Sequence, residues 1–268
     1  MLLLESPHNE RFKKLLKLST DNKFRRQQKL FIVEGLKEIR VALEHHYQIQ
    51  EVYIDQKYIT AYPEKEFEGI PATALKHDLF TRLVYREDAS YMLAVMKEPE
   101  LSLDKIKLPE NPLIVILENV EKPGNLGAIL RTCDAVGADA VILSQEHHNF
   151  FHPNVIRSSV GTVFSNQIAF AKEEDIKNWC TGHKINIFSA ALQTDQNYTE
   201  SDFTAGTAFV LGAEDSGLTK FWRDHADQVI KIPMLGHNDS LNVSVSGAVF
   251  LYEALRQRFS KNGGIGSI

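Results

Sequence analysis

Apolar and polar positions alternate at two different rhythms along this chain, and the rhythm changes near residue 100. In residues 10–18, Phe12, Leu15, Leu16 and Leu18 recur at helical spacing. Residues 30–33 predict a short strand, and Gly35 precedes a helix predicted over 36–46. A strand over 50–55, a helix over 75–84 and a strand over 91–96 follow. Together these predict a small α/β sandwich over residues 1–98. Residues 99–112 carry Pro99, Pro109 and Pro112 among scattered charges, the composition of a linker.

From Leu113 the texture is different. Leu113–Leu117 (LIVIL) is continuously apolar, as expected of a strand buried on both faces of a parallel sheet. A helix over 126–136 and a strand over Ala140–Leu143 complete a βαβ unit. Further strands are predicted at 166–170, 185–190, 208–211 and 228–232, with helices at 173–180 and 242–259. The fold class is therefore α/β, with a larger second domain over 113–268 whose tail, KNGGIGSI, is expected to be unstructured.

Composition agrees with a folded core: 43% of residues are hydrophobic and 24% charged. No apolar run approaches the ~20 residues of a membrane helix, and MLLLESPHNERFKK lacks the pattern of a signal peptide. Cys133 and Cys180 cannot build a disulfide framework or a four-thiolate zinc site, so a reducing cytoplasm is expected. The net charge of −5 points away from nucleic acid, but its distribution does not. Arg11, Lys13, Lys14, Lys17, Lys23, Arg25, Arg26 and Lys29 face only Asp21. Such a cluster either neutralises phosphates or forms a solvated helix face.

Three stretches carry candidate chemistry, each at the C-terminal end of a predicted strand, where open α/β sheets bind ligands. In LENVEKPGNLGAILRTCDAVGADAVIL (117–143), a loop with Pro123, Gly124, Asn125 and Gly127 leads into a helix, with Arg131 on the face of Gly127 and Leu130. Its spacing matches neither the P-loop nor GxGxxG. In FVLGAEDSGL (209–218), Gly212 and Gly217 bracket Glu214 and Asp215. In IPMLGHNDSLNVSVSGAVFLYEALRQR (232–258), Asp239 or Ser240 is the expected helix N-cap, and Ser244, Ser246, Gly247 and Ala248 leave room for close backbone packing.

In their order and spacing these three stretches resemble the signature motifs of the SpoU-type (TrmH-like) RNA ribose methyltransferases of the SPOUT superfamily. The resemblance is close from about Leu113 to Arg258. The first hundred residues are more loosely similar, through basic helices and FIVEG (31–35), to the ribosomal-protein-like RNA-binding domain that precedes the catalytic domain in many members.

The resemblance implies a trefoil-knotted catalytic domain, a homodimer joined through it, and S-adenosylmethionine held by backbone loops. By position those loops include Leu211, Gly212, Gly217, Ile232, Met234, Leu241 and Asn242. It implies in-line attack of a ribose 2′-hydroxyl on the sulfonium methyl, with Arg131 activating the hydroxyl and Asn125, Glu214, Ser240 and Asn242 around it. Arginine is a poor general base, so Arg131 acts either as base or as a cation that stabilises the forming alkoxide. RNA contacts are expected at Lys13, Lys14, Arg25, Arg26 and Arg157, with ribosomal RNA favoured by the N-terminal resemblance and transfer RNA by PGNLGAILRTCDAVGA. A non-catalytic RNA-binding member is the rival, opposed by the intact Asn125, Arg131, Glu214, Ser240 and Asn242; a base N-methyltransferase is opposed by SLNVSVS.

No metal is expected. His147, His148 and His152 share one loop, but no partner carboxylates or cysteines accompany them. Phe150 and Phe151 beside them are placed to stack on a base, to meet a second copy or to fill the core.

Overall fold

The structure, a computed structural model, describes residues 1–85, 90–144 and 150–261. His147, His148 and the tail from 262 onward lie outside the described residues. The chain divides into two compact units, Met1–Pro99 with Asn149–Ser165, and Glu100–His148 with Asn166–Ile268.

Unit 1 contains a five-stranded mixed sheet. Its strands are β1 (Leu2–Leu4), β2 (Leu30–Glu34), β3 (Ile49–Asp55), β4 (Ala72–Leu75) and β5 (Met92–Lys97), in the order β1-β4-β3-β5-β2. The helices are α1 (Glu10–Thr20), α2 (Asn22–Gln28), α3 (Leu36–Glu44) and the single turn α4 (His77–Phe80). The helix expected over 75–84 is mostly absent: Ala72–Leu75 is a strand laddered between β1 and β3, with Ala74 and Leu75 buried. Leu30 and Ile32 of β2 join Phe12, Leu15 and Leu18 of α1 in one core cluster.

Strand alternation sends Phe31 to the other face, and that face is closed by residues far away in sequence. Phe151 stacks on Phe31 with centroids 4.3 Å apart, and Phe164 meets Tyr47 edge-on at 4.9 Å. Both Phe150 and Phe151 are buried, so of the three roles open to them they take core packing. Residues 150–165, which include α6 (Pro153–Ser158), thus belong to unit 1, whereas the sequence assigned them to the second domain. The reason is apolar demand: Phe31 needs cover that the first 99 residues do not supply. Phe151→Ala should accordingly cost about 3–5 kcal/mol. Denaturant unfolding of the full chain reads this, and an unchanged midpoint would show that the face closes without it.

His152 begins α6 and accepts the backbone N–H of Asn154 through Nδ1 at 3.1 Å. Burial, and secondarily the Arg25 cation, holds its pKa below the usual value. A base whose folded pKa is lowered adds stability that is present above its unfolded value, about 6.5, and is lost as pH falls through the folded value. Acidification from pH 7 should therefore destabilise the chain in a way that His152→Asn, which keeps a capping acceptor, removes. An identical pH dependence of stability in the variant would acquit His152.

Unit 2 is a six-stranded, wholly parallel sheet. Its strands are β6 (Leu113–Leu117), β7 (Ala140–Leu143), β8 (Ile168–Phe170), β9 (Asn186–Ala190), β10 (Thr207–Leu211) and β11 (Gln228–Ile230), ordered β11-β9-β10-β6-β7-β8. The helices are α5 (Pro123–Val136), α7 (Glu173–Gly182), α8 (Lys220–His225) and α9 (Val243–Lys261), with α5 packed against α9. The chain leaves β6 toward one edge and returns to the other side, so the topology reverses between β6 and β10.

Residues 100–112 are not a free tether. Leu103, Ile106 and Leu108 pack on the core of unit 2, and the Gln167 side chain accepts from Lys107 N and donates to Lys107 O, both at 2.9 Å. Among the described residues no helix is long and apolar enough to cross a membrane.

Candidate functional site

The reversal point between β6 and β10 is where the three motif stretches converge. Pro123 occupies the first turn of α5, where its missing N–H costs nothing, so the stretch expected as a loop is already helical at Asn125. Asn242 immediately precedes α9. Its carbonyl accepts from Ser246 N at 2.9 Å and its Oδ1 from Ser244 N at 3.0 Å, so Asn242 is the cap expected at Asp239 or Ser240.

Between these helix ends lies Glu214. Its Oε1 accepts from the side-chain amides of Asn125 and of Asn242 (2.8 Å), and its Oε2 pairs with Lys122. Asn242 also donates to Asn125 Oδ1 at 3.2 Å. The Lys122 ammonium, then the Asn125 amide, hold the Glu214 carboxyl below the usual range, so it is an anion at neutral pH. Lys122 was not foreseen: a lysine before a helix has no signal without the fold that brings Glu214 to it.

The loop bearing Glu214 is tightly closed. Gly217 N donates to Ala213 O at 2.9 Å, and a Cβ on Gly212 would stand 2.4 Å from the Gly217 carbonyl carbon. Glu118, at the end of β6, ties both ends of the loop. Its N–H donates to Leu211 O at 2.9 Å, and its buried carboxylate accepts Thr219 N at 2.7 Å and the Thr219 hydroxyl at 2.8 Å. Burial raises the Glu118 pKa, with the Thr219 bonds acting in opposition.

Two cavities share this loop. The larger, about 390 Å³, is lined by Leu211, Gly212, Gly217, Ile232, Met234 and Leu241, all six expected from sequence, and by Ser240. Ala190–Gln193 after β9 and Phe250 of α9 also line it, and these were missed. Ala190–Gln193 reach the site through strand order, which local sequence does not encode. The smaller, about 300 Å³, is lined by Lys122, Asn125, Glu214 and Ser216 among others. Asn242 joins the polar cluster rather than the larger cavity.

Arg131 departs from expectation. It is exposed, whereas Gly127 and Leu130 are buried, and it lines neither cavity. Asn125, Glu214 and Asn242 are brought together without it, and Ser240 contacts Asp239 instead (3.5 Å). Among the described residues no group of His, Cys, Asp and Glu could hold a metal ion.

In unit 1, Lys13, Lys14 and Arg26 are exposed, with Lys13 also bonded to Glu10 at 2.7 Å. Arg25 is a correction: only 2% exposed, it donates to Leu18 O at 2.6 Å and to the Asn22 side chain. Its side chain joins α1 to α2 instead of facing solvent as Arg26 does. Arg157 lies over the Tyr85 ring, 4.0 Å from its centroid.

The chain matches the model of the SpoU rRNA Methylase family over residues 112–252 and that of the MRM3-like substrate binding domain over 9–94. It is 29% identical to the 23S rRNA (uridine(2479)-2′-O)-methyltransferase of Streptomyces viridochromogenes, over 94% of this chain and 91% of that protein. With the 23S rRNA (guanosine-2′-O-)-methyltransferase RlmB of Haemophilus ducreyi it shares 34%, over 61% of this chain and 70% of that one. Among solved structures, the SpoU methyltransferase AviRb from Streptomyces viridochromogenes in complex with the cofactor AdoMet superposes with a TM-score of 0.88 at 28% identity, covering 96% of this chain and 100% of that one.

Proposed function

Since the chain belongs to the SpoU rRNA methylase family, we propose that it transfers the methyl group of S-adenosylmethionine to a ribose 2′-hydroxyl of ribosomal RNA in the cytoplasm. One observation carries the reading: a cavity suited to the cofactor and a polar cluster suited to the ribose meet at a single loop, 213–216.

The larger cavity fits the cofactor chemically. Main-chain groups of Gly212, Gly217 and Leu241 can address the adenine edge, Phe250 and Ile230 give apolar contact, and Glu214, Asp215 and Asp239 bring negative charge for the sulfonium and amino groups. When bound, S-adenosylmethionine supplies an activated methyl whose leaving group is a neutral thioether. The chain therefore needs no acid. Its work is to orient the hydroxyl and to help it lose a proton. Asn125, Glu214 and Asn242 form a fixed set of donors and acceptors for the ribose, and Lys122 keeps Glu214 ionised.

Arg131 acts, in this reading, across a homodimer. It stands on the exposed stripe of α5 with Ala135, beside α9, whose Val245 (48% exposed) and Tyr252 (53%) leave an apolar surface for a second copy. A guanidinium from one copy can then hold the RNA phosphate and stabilise the forming alkoxide at the other copy's cluster. The C-terminal segment is threaded as a trefoil knot; the close approach of Gly247 to Leu211, 2.9 Å for an added Cβ, supports such tight passage.

Labelled S-adenosylmethionine incubated with ribosomal RNA from cells lacking the protein tests the whole reading. A 2′-O-methylnucleoside in the digest is expected. Cofactor binding without transfer to any ribosomal RNA would favour the non-catalytic rival, and label in transfer RNA alone would change the substrate.

Unit 1 is the proposed RNA-binding part. Replacing Lys13, Lys14 and Arg26 by Ala should weaken RNA binding and flatten its salt dependence by about one slope unit per lost phosphate contact, with cofactor affinity unchanged. Arg25→Ala should instead lower stability by about 1–3 kcal/mol, because it strips a buried carbonyl of its partner. Unaltered RNA affinity in the triple variant would return these cations to a solvated face.

A further inference from the structure

Unit 1 holds a cavity of its own, about 290 Å³, where the end of α1, the turn between β2 and α3, the segment after α4 and helix α6 meet. Ile32, Leu83, Val84 and Ile156 give it an apolar lining. Tyr85 also lines it, 63% exposed, with the Arg157 guanidinium over its ring. The Tyr85 N–H is held by Glu34 Oε2 at 2.9 Å, which ties this residue to the end of β2. A solvent-facing aromatic ring paired with a guanidinium is the platform on which unpaired nucleobases stack.

The polar side of the cavity narrows the choice of base. Gly35 has φ +97°, and a Cβ there would stand 2.5 Å from Glu38 Oε2. Absence of that Cβ lets the Glu38 carboxylate lie over the turn and line the cavity. Among the described residues the Glu38 carboxylate makes no hydrogen bond or ion pair. A carboxylate is acceptor-only, so the base edge facing Glu38 must present donors, while Arg82 and Arg157 of the same lining balance the charge of Glu34 and Glu38. Guanine alone offers two adjacent donors, N1–H and the 2-amino group, to match its two oxygens. Adenine and cytosine set a bare ring nitrogen beside their amino group, and uracil flanks its one N–H with carbonyls.

The geometry points to a binding site for an unpaired guanine of the RNA substrate, stacked on Tyr85 and Arg157 and read by Glu38. This rests on the reading of the chain as an RNA methyltransferase, and deepens it by giving unit 1 a base-reading role beyond phosphate contact.

The test uses the full chain and labelled uridine heptamers carrying a central guanosine, inosine or uridine. The guanosine heptamer should bind on the order of tenfold more tightly than the all-uridine one, the worth of a bidentate base contact. Inosine, which lacks the 2-amino group, should fall between them. Glu38→Gln should remove most of the preference, and Tyr85→Leu should weaken binding of the guanosine and inosine heptamers alike. Cofactor titration of each variant checks that the chain remains folded. Equal affinity of the wild type for guanosine and uridine heptamers overturns the proposal, as does a preference that survives Glu38→Gln. Binding of 5′-GMP as tight as that of the guanosine heptamer would assign the cavity to a free nucleotide and overturn the RNA source. Methyl transfer to ribosomal RNA by the wild-type chain is scored separately, so failure of that activity is told apart from failure of the guanine site.

Discussion

Gly212→Ala is expected to lower cofactor affinity by on the order of a hundredfold, as overpacking against fixed neighbours does. The added methyl would lie 2.4 Å from the Gly217 carbonyl carbon, 2.5 Å from its oxygen and 2.7 Å from Leu218 N. All three are backbone atoms, so no rotamer change relieves the clash. Nor can the loop simply swing away. Gly217 N is bonded to Ala213 O, and Glu118 ties Leu211 and Thr219 at the two ends. The strain must therefore distort the 213–217 turn that lines the larger cavity. Calorimetric titration with S-adenosylmethionine measures the loss. Gly124→Ala is the control, because a Cβ there meets nothing within 4 Å. Wild-type affinity in Gly212→Ala would mean that this loop does not hold the cofactor.

What the sequence made legible was local. The continuous LIVIL run announced a buried parallel strand, and six of the residues lining the larger cavity were those that the resemblance to the SpoU-type motifs implied. What escaped depends on partners distant along the chain. Ala190–Gln193 reach the cavity because β9 lies beside β10, an adjacency that no local pattern carries. Arg25 shares the basic appearance of Arg26, yet one step along α2 turns it from solvent to the carbonyl of Leu18. Residues 150–165 look like part of the second domain until Phe31 is seen to need Phe151. Asn242 outcompetes Asp239 and Ser240 as the helix cap because α9 begins at Val243, and only the residue directly before that turn presents its side chain to Ser244 N.

Arg131→Ala is expected to cost roughly 10²–10³-fold in turnover, by analogy with the loss of one donor to a developing oxyanion. Folding and cofactor affinity should be untouched, because Arg131 is exposed and, among the described residues, makes no hydrogen bond or ion pair that the fold depends on. Arg131→Lys should recover only part of the rate, since an ammonium cannot offer phosphate the same fork. The position of Arg131 outside both cavities makes a sharper test possible. If the arginine serves the other copy of a dimer, mixing Arg131→Ala chains with Gly212→Ala chains, at a cofactor concentration that fills the wild-type site but not the Gly212→Ala site, should regenerate activity well above that of either variant alone. In a mixed dimer the first chain supplies an intact cofactor loop and the second supplies the arginine, so one of the two sites is complete. With random exchange about a quarter of all sites would be restored, as a twofold dimer requires. If the arginine instead serves its own chain, every site in the mixture lacks one component, and no activity returns. Full turnover in Arg131→Ala itself would remove the residue from the chemistry and leave Asn125, Glu214 and Asn242 to activate the hydroxyl unaided.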